Sequence, residues 1–125
     1  MFKYLASDLV QLTGTTKKLL STVTLPKDTK RLVSAGGYAI AAAGMTTGET
    51  LGGILELESD DINIAPCQIP TTIVSALTNG AVAVEAKMYP IDFDNPGAAR
   101  IRCSMTEEMI STGNVKGRAY ICIEV

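Results

Sequence analysis

The chain has no histidine and no tryptophan, and it holds only two phenylalanines, four tyrosines and three cysteines in 125 residues. Each shortage removes a class of chemistry. Without histidine no Ser-His-Asp or Cys-His pair can form within the chain, and the commonest general base and transition-metal ligand is missing. Cys67, Cys103 and Cys122 are odd in number and none shares a C-x-x-C spacing, which argues against a disulfide scaffold and for a reducing compartment. Cys67 sits in APCQIP with no basic neighbour to lower its pKa, and Cys122 sits in an alternating apolar segment, so both read as inert. Long apolar runs are also lacking. YAIAAAGM is far too short for a bilayer, and Asp8 interrupts the apolar residues near Met1, so neither a transmembrane segment nor a signal peptide is expected.

What is present is small and aliphatic. Hydrophobic residues make up 46% and charged residues 19%, a composition that buries a core and reads as one domain, 1–125. The net charge of −2 is unevenly spread: residues 1–31 carry six basic and two acidic groups, and the remainder carries five basic and eleven acidic ones. Such asymmetry fits two faces that meet between copies of the chain, and equally fits solvated side chains with no partner.

Period-two alternation dominates. KGRAYICIEV places Lys116, Arg118, Tyr120, Cys122 and Glu124 on one face and Gly117, Ala119, Ile121, Ile123 and Val125 on the other. VAVEAKMY, ended by Pro90, and LLSTVTL, ended by Pro26, read as strands too. Residues 31–43 read as a long strand bent at Gly36–Gly37, with further short strands at 8–13, 69–76 and 98–104. Turn signals at 26–28, 46–48, 59–61, 79–80, 94–97 and 113–114 separate them. Only Ser104–Ser111 reads as helical, from a Ser/Thr that precedes Glu107 and Glu108 as in a capping box. The pattern predicts an all-β antiparallel sandwich or barrel of about eight strands, with at most one short helix.

Chemistry is sparse. In GGILELESDD, alternation turns Glu56 and Glu58 to solvent and Leu55 and Leu57 to a core, with a turn at Asp60–Asp61. The acidic residues lack the loop spacing and the bidentate Glu of a Ca²⁺ site, so no metal is expected. Glu56 and Glu58, roughly 7 Å apart at their Cα atoms on one strand, have a glycosidase-like separation, but every alternating strand with two glutamates produces it, and no aromatic platform flanks them. The Gly-rich pieces at 35–38 and 44–49 are not phosphate loops. Lys27, Lys30 and Arg31, with Lys17–Lys18, could meet nucleic-acid phosphates, but no stacking aromatic is interleaved with them. No cofactor is implied and no enzyme is expected.

The run VTLPKDTKRLVSAGGYAIAAAGMTTGETLGGILELESDDINIAPCQIP resembles the framework of small single-jelly-roll structural proteins of icosahedral viruses, over about the middle 50 residues. The resemblance carries no diagnostic motif and no site residues, and the chain lacks a long Arg-rich arm. It implies a jelly-roll-like β-sandwich that serves as a non-enzymatic, self-assembling shell or surface component. Ala39 to Ala43 form an apolar run that one strand face cannot bury, which suggests a strand covered on both faces or one facing another subunit. The expected contacts in a homo-oligomer are therefore Lys27, Lys30, Arg31, Ala39, Ala41, Ala43, Glu56 and Glu58. The alternative is a small-molecule or glycan-binding sandwich that uses loops 44–49, 90–97 and 113–116.

Overall fold

The computed structural model describes residues 1–12, 17–41, 49–64, 67–75, 88–107 and 115–125. They form nine strands: β1 Phe2–Ala6, β2 Val10–Leu12, β3 Lys18–Thr24, β4 Arg31–Ala41, β5 Glu49–Glu58, β6 Cys67–Ser75, β7 Tyr89–Asp94, β8 Arg100–Glu107 and β9 Val115–Glu124. No helix occurs among the described residues.

The antiparallel pairings are nested. β5 pairs with β6, β4 with β7, β3 with β8, and β1 and β2 together with β9. One long antiparallel ribbon thus rolls up into a front layer, β1/β2–β9–β4–β7, and a back layer, β6–β5–β8–β3. This is the β-sandwich that the strand spacing allows, in the jelly-roll-like form that the resemblance implies. The layers are stitched at one margin by the only parallel pair among the described strands, β4 with β6, from Tyr38↔Thr72 to Ala41↔Ser75.

The core lies between the layers. Leu55 and Leu57 from β5, Ile101 and Met105 from β8, and Ile121 and Ile123 from β9 are all fully buried. In β5 and β8 they alternate with half-exposed neighbours, the period-two signal of the sequence made physical, while in β9 the intervening Cys122 is buried as well. Met105 fills the narrowest part. A Cβ built on Gly117 would stand 2.6 Å from its Sδ, and one on Gly37 would stand 3.1 Å from its Cε.

Four local readings are corrected. Ser104–Glu107, expected as the start of a helix, continues β8: Met105 points into the core and Ser104 pairs opposite Glu56, so the ladder overrides the capping-box pattern. The irregularity in β4 falls between Leu32 and Ser34, while Gly36 and Gly37 stay in register with Tyr120 and Ala119. Gly37 serves close packing, since a Cβ there would also meet the Arg118 carbonyl at 3.2 Å. Pro90 does not end a strand but lies inside β7, whose described pairing is to β4 alone, an edge position where a missing N–H is tolerated. Finally, β1 precedes the first expected strand. The reading at 82–88 lies mainly outside the described residues, as does the end of the reading at 8–13.

A serine makes the corner between β1 and β2. Ala6 pairs with Tyr120 and Val10 with Gly117, so three residues of one chain segment face two of the other. The buried Ser7 absorbs the mismatch. Its backbone N–H donates to the Ala119 carbonyl at 2.9 Å, and its Oγ accepts from the Ala119 N–H at 2.8 Å. The next N–H, of Asp8, donates to Ser21 Oγ across the sandwich margin at 3.1 Å. No buried backbone donor is orphaned at this turn.

Candidate functional site

The back layer's outer face collects most of the acidic residues singled out in the sequence. The register sets Thr22 opposite Arg102 and Arg102 opposite Glu58, with Thr24 opposite Arg100 in the next outward row. Glu56 shares a row with Ser104, Leu19 and Gln68. Beyond β5, the turn brings Asp60 and Asp61 alongside.

Every one of these carboxylates has a basic partner in its own chain. Lys17 Nζ lies 3.5 Å from both Glu56 and Glu58. Arg102 bridges Glu58, at 3.2 Å, and Asp60. Arg100 grips Asp61 through Nε and Nη2, each at 3.1 Å, and its backbone N–H donates to the same carboxylate at 2.9 Å. Thr22, Asp60, Asp61, Arg100 and Arg102 line a groove of about 150 Å³. Among the described residues no group of three acidic or cysteine side chains could hold a metal ion.

The pairing depresses the acids. Glu58 is held below its ordinary value of 4.5 by hydrogen bonding with the Glu56 carboxyl, then by Arg102 and Lys17. Asp61 is held below 3.8 by the Arg100 side chain and backbone. A depressed carboxylate contributes stability that is whole above its unfolded value and is lost as pH falls through the folded one. Thermal melts should therefore be flat from neutral pH down to about pH 5 and fall progressively below pH 4, less steeply in high salt because the groups are exposed. A midpoint that rises below pH 4 would contradict the pairing.

The remaining nucleophile is silent. Burial pushes the Cys103 thiol up to about 12, so no thiolate forms at neutral pH. Cys122 is buried as well.

The expected contact residues do not come together. Lys27 and Lys30 are exposed at the β3–β4 turn. Arg31 faces Asp92 at 3.5 Å and Glu124 at 3.9 Å of its own chain. Ala39 is fully buried in the core and cannot meet a subunit. With Tyr38 on its other side only 9% exposed, β4 is covered on both faces there, the alternative that the apolar run left open. The backbone of Ala41 lies in β4 opposite Val115. Ala43 lies outside the described residues, as do most of loop 44–49 and part of loop 113–116. Of the six basic groups in residues 1–31, Lys17 and Arg31 meet carboxylates of the remainder inside one chain.

The front layer's outer face holds what the sequence reading missed. β1 and β9 pair Phe2 with Glu124, Tyr4 with Cys122 and Ala6 with Tyr120, and β4 sets Tyr38 opposite Arg118. Four of the chain's six aromatic residues thus share one sheet face. Phe2 and Tyr4 are 58% and 67% exposed. The rings of Tyr38 and Tyr120 stack with centroids 5.9 Å apart and planes 23° apart. Burial raises the Tyr38 hydroxyl above its ordinary value, the Tyr120 hydroxyl adds to the rise, and Arg118 opposes it. Alternation in β9 already placed Arg118 and Tyr120 together; the strand that brings Tyr38 beside them was not legible.

Comparison with protein-family models, with curated proteins and with solved structures finds no match to this chain. Among the described residues no helix is long and apolar enough to cross a membrane.

Proposed function

We propose that the protein is a non-enzymatic structural component that self-associates, as a shell or surface element of a particle. The observation that carries this reading is the aromatic margin of the front layer. Phe2 and Tyr4 lie 58% and 67% exposed on a strand that puts only Leu5 against the core. In a chain this poor in aromatics, such side chains mark a surface that gains by being covered. Jelly-roll-like sandwiches serve shells and lectins alike, so the fold does not choose between them.

Because the charges pair within the chain, the contact is apolar and association should persist or strengthen in high salt. Size-exclusion chromatography with light scattering should give an oligomer that the double change Phe2→Glu, Tyr4→Glu converts to a folded monomer. A native chain that stays monomeric at high concentration in both low and high salt sinks the reading.

A second reading, a module for a small polar ligand, has the groove at Thr22, Asp60, Asp61, Arg100 and Arg102 in its favour. At about 150 Å³ it is smaller than ordinary ligand pockets, and its guanidinium groups are already occupied.

A further inference from the structure

The chain has four arginines, and three of them face carboxylates: Arg31, Arg100 and Arg102. Arg118 forms no ion pair with a carboxylate among the described residues. It sits on a strand that is paired on both sides. Its strand lies between β4 and the β1–β2 corner, Tyr38 stands directly opposite it, and Tyr120 follows two residues along on the same face. Its Nε is shielded from solvent and has no acceptor, whereas the similarly shielded Nε of Arg31 lies 3.9 Å from Glu124. The residue as a whole remains half-exposed. The guanidinium is hydrogen-bonded with the Tyr38 hydroxyl, and that contact positions it beside the stacked rings. Ordering a long side chain is a main cost of forming an ion pair, and here it is met on folding.

We infer that Arg118, with Tyr38 and Tyr120, is a binding site for a carboxylate on the outer face of the β4–β9 pair. The guanidinium supplies the charge and a two-pronged donor, the geometry that planar carboxylates fit best. The tyrosines supply a stacked wall and neutral hydroxyls. A planar carboxylate fits the fork and the ring wall more closely than a tetrahedral phosphate does, and Lys116 lies roughly 7 Å along the strand on the same face. Two sources share the chemistry, a free organic acid and an acidic side chain of a second copy. The site stands independently of the association proposed above.

The Nε–Hε cross-peak of Arg118 in ¹⁵N NMR spectra of the native chain reads the site directly, with Arg118→Lys identifying the peak by its loss. Acetate and glucuronate should move it saturably, glucose should not, and inorganic phosphate should act more weakly than glucuronate. Tyr38→Phe should weaken the response about fivefold, the worth of one neutral hydrogen bond. If the peak also moves as the protein alone is concentrated, the carboxylate comes from a second copy. A peak that responds to neither added carboxylate nor protein concentration overturns the inference. So does a stronger response to phosphate, or one that Tyr38→Phe leaves unchanged.

Discussion

Replacing Leu57 by alanine should cost about 2–5 kcal/mol, while replacing its neighbour Glu56 by alanine should cost less than about 1 kcal/mol. Leu57 is fully buried between the layers, in register with Cys67 on one side and Cys103 on the other. Truncation removes apolar contact and leaves a cavity that strands tied on both sides cannot collapse to fill. Glu56 points the opposite way and is met by Lys17 at 3.5 Å, from a side chain that is itself half-exposed, and by the neighbouring Glu58 carboxyl. Against a total stability of about 5–15 kcal/mol, the first change is a large fraction and the second is near the noise. Urea unfolding should show a lower midpoint for Leu57→Ala at unchanged slope. Equal losses for the two variants would mean that the inward and outward faces of β5 have been exchanged.

That pair of residues also shows what could be read without coordinates. A strand with one wet face announces itself by alternation, and Ile54 to Glu58 and Lys116 to Glu124 were legible for that reason. The all-β class followed from strand count and turn spacing, while the order of the strands did not. Legibility failed where alternation was absent or a local signal competed with it. β1 carried no readable pattern because only Leu5 packs on the core. Ser104–Glu107 carried a helix-start pattern, which the pairing of β8 with both β3 and β5 overrode.

The sites were less legible than the fold, because they depend on which strands become neighbours. Lys17 and Glu58 are 41 residues apart, and a difference in segment charge cannot say whether opposite charges meet within a chain or between chains. The rolled ribbon answers it for Lys17, by laying β3 next to β8 and β8 next to β5. The same rolling brings Tyr38 to Arg118 and exposes Phe2 and Tyr4 on one face. An acidic strand that first invited a catalytic or metal reading is thereby a paired wall, and the unpaired chemistry lies on the opposite layer.

Gly117 offers the sharpest test of how the layers meet, because its substitution by alanine should change sign with the residue across from it. In an ordinary strand, glycine to alanine stabilises by about 0.5–1 kcal/mol through reduced backbone entropy. At Gly117 the new methyl would lie 2.6 Å from Met105 Sδ and 3.2 Å from Leu12 Cδ1, and Met105 has nowhere simple to go because its Cε already rests against Gly37. Overpacking should dominate, and Gly117→Ala should destabilise by about 1–3 kcal/mol. Met105→Ala alone should cost about 2–5 kcal/mol, from the cavity left at the centre of the sandwich. In that background the Gly117 methyl enters the vacated space, so Gly117→Ala should become neutral or stabilising. The double-mutant cycle should then give a favourable coupling of about 1–3 kcal/mol between two residues in opposite layers. Additive losses would show that the thioether swings aside freely, and that the close approach of β9 to β8 is not what requires glycine at 117.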